Sequence, residues 1–147
     1  MKFLVSACLL GEPCRYDGRS KPCEDVQRLR EQCVMIPVCP EILGGLPTPR
    51  IPSERQGDGR VVNQAGEDVT DAYRKGAEAV LKLAKQTECD GAILKERSPA
   101  CGKGRIYDGS FSKNLIDGNG VCAELLLNNR IPVFGESELD ALPIDIK

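Results

Sequence analysis

The chain has 147 residues, 41% of them hydrophobic and 29% charged, a balance that indicates a globular fold and excludes disordered and collagen-like classes. A net charge of −2, 4% aromatics and no tryptophan give no general pull toward nucleic acid or anionic membrane and few stacking platforms for single strands. Eight cysteines are about 5% of the residues, below the roughly 8–10% of a disulfide scaffold, so they read as reduced thiols of a cytoplasmic protein.

Residues 2–9 read as a first strand, with an apolar run over 3–7 that reaches Cys8. The tetrapeptide Val5-Ser6-Ala7-Cys8 has the look of a lipoprotein cleavage box. The apolar stretch before it is shorter than the roughly 7–15 residues a signal needs, so a buried strand is expected. Residues 11–22 form a loop rich in turn formers and charge. Val26 and Leu29 at helical spacing predict a short helix over 23–31. A second strand, Val34–Val38, reaches Cys39 and stops at Pro40. A long irregular stretch rich in proline and glycine covers 42–59, and loops of that length inside a compact domain usually carry function.

A small strand over 60–63 and a turn over 64–67 precede the strongest helix, capped by Asp68 or Thr70. Ala72, Gly76, Ala79, Val80 and Leu83 give that helix one apolar face, and it ends near residues 87–89. A third strand over 92–95 leads through a polar turn to Cys101, inside a glycine-rich loop over 98–118. A helix over 121–128, a strand over 131–134 and an acidic, peripheral tail over 136–147 complete the chain. No segment approaches the 18 or more apolar residues of a membrane span. Strands alternating with helices predict an α/β fold: one domain over 1–147, with a mainly parallel sheet of about four strands flanked by helices, Rossmann-like. Tyr16-Asp17-Gly18 and Tyr107-Asp108-Gly109 echo one another and read as two similar tight turns.

Parallel pairing of the three runs that lead to Cys8, Cys39 and Cys101 gathers the three thiols beyond the carboxyl ends of the strands, where open α/β sheets bind ligands. Three thiolates can hold a 4Fe-4S cluster and leave one iron open. Structural zinc, with Cys14 as a fourth ligand, is the alternative, and buried structural thiols are the plain one. Cys33, Cys89 and Cys122 sit in or beside apolar elements and are assigned to the core. Cys23 lies near a helix start. Glu41, two residues past Cys39, faces the same space and is placed for general-base work. Ser98, three residues before Cys101, can donate to a substrate or serve a turn. Basic residues crowd the same loops, among them Arg15, Lys21, Arg50, Arg55, Lys95 and Arg97, and can steady an anionic group. The chain has no CxxC, P-loop, GxGxxG after a strand, or GxSxG, and the absence of histidine excludes a Ser-His-Asp triad.

With these residues in hand the chain resembles the bacterial 2-thiouracil desulfidases. The resemblance rests on Cys8-Leu9-Leu10-Gly11, Cys14-Arg15-Tyr16-Asp17-Gly18, Val38-Cys39-Pro40-Glu41, Gly44-Gly45-Leu46, Asp68-Val69-Thr70, Ile93-Leu94-Lys95, Ser98-Pro99-Ala100-Cys101-Gly102 and Ile106-Tyr107-Asp108-Gly109. It runs from the first strand to beyond residue 130. It implies a 4Fe-4S cluster held by Cys8, Cys39 and Cys101. It implies non-redox desulfuration of a small thiolated pyrimidine, with Glu41 activating water and Ser98 handling a proton. Many relatives carry serine at the position of Ala100. A non-catalytic zinc domain and an enzyme acting on thiolated RNA are the competing readings.

Overall fold

The central strands are buried on both faces, and successive side chains enter opposite halves of a divided core. The structure, a computed structural model, describes residues 1–143. Strands β1 (Lys2–Ser6), β2 (Val34–Val38), β5 (Gly91–Leu94) and β8 (Val133–Gly135) form a parallel sheet in the order β2-β1-β5-β8. On one face Leu4, Ala92 and Leu94 pack against helices α3 (Thr70–Thr87) and α4 (Val121–Asn128). On the other, Phe3, Val5 and Ile93 pack against Val26 of helix α1 (Glu24–Arg28), and against Leu29, Leu139 and Leu142. This is the α/β layering expected, because side chains of a strand point alternately to its two faces and each face needs its own cover.

The chain leaves β1 toward β2 on one side and then crosses to β5 on the other. The edge between β1 and β5 is therefore the switch point of the sheet, where such folds open a crevice at their carboxyl ends. Register sets Ser6 level with Val38 and Val5 level with Ile93, so the three strands end together. Ser6 Oγ accepts the Lys95 N–H at 2.8 Å, bridging β1 and β5 where the ladder stops.

Several expectations are corrected. The first strand stops at Ser6, and Ala7–Leu10 form a 3₁₀ turn that closes at Gly11, φ +98°. Glycine adopts that left-handed conformation without a Cβ clash. Pro40 does not merely end β2; it starts helix α2 (Pro40–Leu43), where its missing N–H is not needed. The stretch 42–59 contains β3 (Ser53–Arg55), which pairs antiparallel with β4 (Val61–Asn63). The loop 98–118 contains the hairpin of β6 (Arg105–Tyr107) and β7 (Leu115–Asp117).

Helix α3 is rotated from its expected face: Tyr73, Gly76, Ala77, Val80 and Ala84 are buried, while Ala72, Ala79 and Leu83 are half-buried. The rotation follows from contact on two sides, with α2 and with α4. The N-cap is Val69, neither of the two residues expected, and Asp68 supports the start from one position earlier, its Oδ1 accepting the Thr70 N–H at 2.9 Å. The tail is not peripheral up to residue 142. Glu136 pairs with Lys95 at 3.3 Å, and Leu139 and Leu142 are buried in the second core. Residues 144–147 lie outside the described part.

Among the described residues no helix is long and apolar enough to cross a membrane. The two Tyr-Asp-Gly tripeptides are similar turns, as expected. Asp17 and Asp108 each accept the backbone N–H two residues on, at 3.0 and 2.9 Å, and Gly18 and Gly109 have φ of +75° and +97°.

Candidate active site

At the carboxyl edge of the sheet lies a cavity of about 490 Å³, within the range of small-molecule sites. Its wall carries Cys8, Cys14, Cys39 and Cys101 together with Glu41 and Ser98. Each comes from a different local device. The 3₁₀ turn after β1 presents Cys8. Cys39 is the N-cap of α2, with Glu41 in the first helical turn. Cys101 sits on the turn after β5 that closes with the Gly102 N–H donating to the Ser98 carbonyl at 2.9 Å.

All eight cysteines are free thiols. The Cys14 thiol is flanked by those of Cys39 and Cys8. Its neighbour Cys39 lowers its pKa, but Cys8, together with burial, outweighs that and pushes the thiol up to about 11. The Cys14 thiol and then burial push Cys39 up as well. Cys101 is raised well above the ordinary thiol range by burial and by Cys122 close by. Crowded, desolvated thiols hold their protons, and a bound cation would remove that penalty. Among the described residues no three Cys, Asp or Glu side chains are gathered closely enough to enclose a single metal ion.

Glu41 is held rather than solvated. Its Oε2 accepts Arg50 Nε–H at 3.0 Å and the Tyr73 hydroxyl at 3.0 Å, with Arg50 Nη2 also at 3.0 Å. Ser98 Oγ accepts the N–H groups of Ala100 and Cys101, each at 3.1 Å. This is the turn bond weighed in the sequence. It uses the two acceptor sites of the hydroxyl and leaves its proton to donate into the cavity.

The loop cations divide. Arg50 serves Glu41, Arg55 pairs with Glu124, Lys103 with Glu138 at 3.1 Å, and Lys95 with Glu136. Lys95, Arg97 and Lys113 line the cavity. Of the thiols assigned to the core, Cys122 is fully buried, whereas Cys33 and Cys89 are half-buried. Cys23 is half-buried at the N-cap of α1.

Residues missed in the sequence complete the wall. Buried Glu54 accepts the N–H groups of Gly109 and Phe111 at 2.9 and 3.1 Å and so fixes the β6–β7 loop over the cavity. Gln56 Nε2 donates to the Gly109 carbonyl at 3.2 Å. Tyr73 lies outside the aliphatic spacing that predicts its helix, yet it is buried on it.

A family model described as 2-thiouracil desulfurase matches residues 3–138. The chain is 42% identical over 147 residues to "Uncharacterized protein YbbK" of Bacillus subtilis (strain 168), covering 94% of this chain and 97% of that protein. Among solved structures it is similar to the 4Fe-4S-dependent thiouracil desulfidase TudS. The TM-score is 0.90 and the identity 46%, over 96% of this chain and 94% of that one.

Proposed function

The chain belongs to the 2-thiouracil desulfurase family, and from that membership we propose that it is a 4Fe-4S-dependent desulfidase acting on small thiolated pyrimidines in the cytoplasm. The reaction converts 2-thiouracil or 4-thiouracil, with water, into uracil and sulfide. The carbon and sulfur keep their oxidation states, so no electron acceptor is required. The observation that carries the reading is the meeting of Cys8, Cys39 and Cys101 with Glu41 and Ser98 on one cavity wall.

The residues fit the cofactor. Cys8, Cys39 and Cys101 would hold it, a soft all-sulfur donor set suited to iron–sulfur chemistry. Cys14 and burial raise the Cys39 thiol, and burial the Cys101 thiol, above their ordinary range, a penalty that coordination to a metal relieves. When bound, the cluster supplies a Lewis-acidic iron with affinity for sulfur.

The chain's own groups supply the rest. Glu41 accepts the proton of the attacking water. Ser98, its acceptor sites filled by two backbone N–H groups, donates its proton to the substrate as the carbon–sulfur bond breaks, and the proton taken up by Glu41 returns by way of solvent to restore the hydroxyl. Lys95, Arg97 and Lys113 on the wall favour electron-rich heterocycles and the departing sulfide.

The test is anaerobic reconstitution followed by metal, sulfide and product analysis. About four irons and four sulfides per chain are expected, with uracil and sulfide released from a thiouracil. Protein that stays iron-free, or one that binds a single zinc and turns nothing over, overturns the reading.

A further inference from the structure

Arg50 and Tyr73 converge on one oxygen of Glu41. Arg50 Nε and the Tyr73 hydroxyl both donate to Oε2, and Arg50 Nη2 stands 3.0 Å from the same atom. A carboxylate oxygen has two lone pairs, so Oε2 is filled and Oε1 is the oxygen left to accept a proton. The Arg50 and Glu41 side chains are only 6% and 16% exposed, so water does not compete for these bonds.

Arg50 is itself fixed on every side. Nη1 donates to the Pro47 carbonyl and to Thr48 Oγ1, both at 3.2 Å, and Nη2 donates to the Cys14 carbonyl at 3.1 Å. Its three nitrogens make four hydrogen bonds within the protein, and Nη2 also stands 3.0 Å from Glu41 Oε2. Arg50 is therefore committed to the protein, whereas Arg97 and Lys113 on the same wall are placed to meet an anionic substrate. Tyr73 is buried on α3. Burial and the neighbouring Glu41 charge push its pKa up, so it stays protonated and donates. The Cys14 carbonyl that receives Arg50 also receives the Cys39 thiol at 3.9 Å, so one backbone oxygen ties the base to the thiol two residues before it.

We propose that Arg50 and Tyr73 are positioning residues that clamp the Glu41 carboxylate by Oε2 and present Oε1 to the water consumed in the reaction. The proposal rests on the desulfidase reading and adds a residue pair to it. An orienting clamp acts on the chemical step. It lowers kcat when lost, leaves KM nearly unchanged, and works only through the group it orients.

The experiment compares Arg50→Lys, Tyr73→Phe, Glu41→Gln and the two double variants with the wild type, all loaded with cluster. Iron content is measured beside kcat and KM on a thiouracil. Each clamp variant should keep its iron, lose about tenfold or more in kcat and hold KM within about twofold. In the Glu41→Gln background, neither clamp substitution should lower kcat further. Losses that add to that of Glu41→Gln overturn the proposal, as does a raised KM at unchanged kcat or an unaltered Tyr73→Phe. If Arg50→Lys does not fold, Tyr73→Phe, which removes a single oxygen, decides alone, and loss of its iron also overturns the clamp. A loaded wild type that desulfurates no thiouracil sinks the desulfidase reading and the clamp together, whereas an active wild type with additive variants sinks only the clamp.

Discussion

Gly44 and Gly76 bring α2 and α3 together backbone to backbone. A Cβ on Gly76 would lie 1.8 Å from the Pro40 carbonyl oxygen, and one on Gly44 would lie 2.0 Å from that of Ala72. Helix α2 has a single turn and cannot fix its own direction. Its contact with α3 does so, and that contact aims Cys39 and Glu41 at the cavity while setting Tyr73 within reach of Glu41.

Gly76→Ala should therefore destabilise the protein and disturb the site together. The clash is with backbone, so one helix must shift, at a cost of about 2–3 kcal/mol. A fall in Tm of roughly 5–10 °C is expected, with reduced iron retention after anaerobic reconstitution. Thermal melting and iron analysis check both. An unchanged Tm would mean that the two helices can slide apart freely.

Cys14 separates the three-cysteine assignment from a four-cysteine one. It lines the cavity and touches Cys8 and Cys39, yet the assignment leaves it outside the ligand set. Cys14→Ala should retain its full iron and sulfide, whereas Cys101→Ala should lose the cluster. Complete loss of iron in Cys14→Ala would overturn the assignment.

Glu54 holds the cover of the cavity. Its Oε1 accepts two backbone N–H groups from the loop after β6, and leaving them without a partner costs about 1–3 kcal/mol. Glu54→Ala should loosen residues 109–113 and speed tryptic cleavage after Lys113, with a rise in KM. Limited proteolysis followed by mass spectrometry reads the first effect. Cleavage at the wild-type rate would show that Gln56 alone keeps the loop in place.

Alkaline stability should depend on Cys122. This thiol is fully buried, and burial raises its pKa to about 12. The folded value lies above the unfolded one of about 8.5. The contribution to stability is thus complete below the unfolded pKa. It is lost as pH rises toward the folded pKa, because only the unfolded chain releases the proton in that window. The urea midpoint should fall from about pH 8.5 upward toward the folded value of about 12, and Cys122→Ala should make that fall shallower, the raised Cys14, Cys39 and Cys101 thiols contributing the rest.

The sheet was legible because its strands are apolar runs bounded by turn residues, and the two central ones are buried almost throughout. Residues 3–5 and 91–94 need no tertiary information to be read as core strands. Of the two hairpins only β4 was legible, as the small strand expected over 60–63. Ser53–Arg55 and Arg105–Tyr107 are short and polar, and their pairing is fixed by contacts with distant residues such as Gly109. The cysteines and Glu41 were found from their position after strands. Arg50 could be named in its loop, but nothing in its neighbourhood links it to Glu41 nine residues earlier or to Tyr73 on another helix. Such a clamp exists only once α2 and α3 have docked.

The three proposed ligand sulfurs sit at positions 8, 39 and 101, after the first, second and third strands of the sheet in chain order. A nascent polypeptide halted before its final third owns only two of them. On the proposed assignment, metallation is thus a post-synthetic event: the scaffold has to be nearly finished before its inorganic cargo has a seat. Delivery must then proceed through the cavity mouth of an already folded molecule.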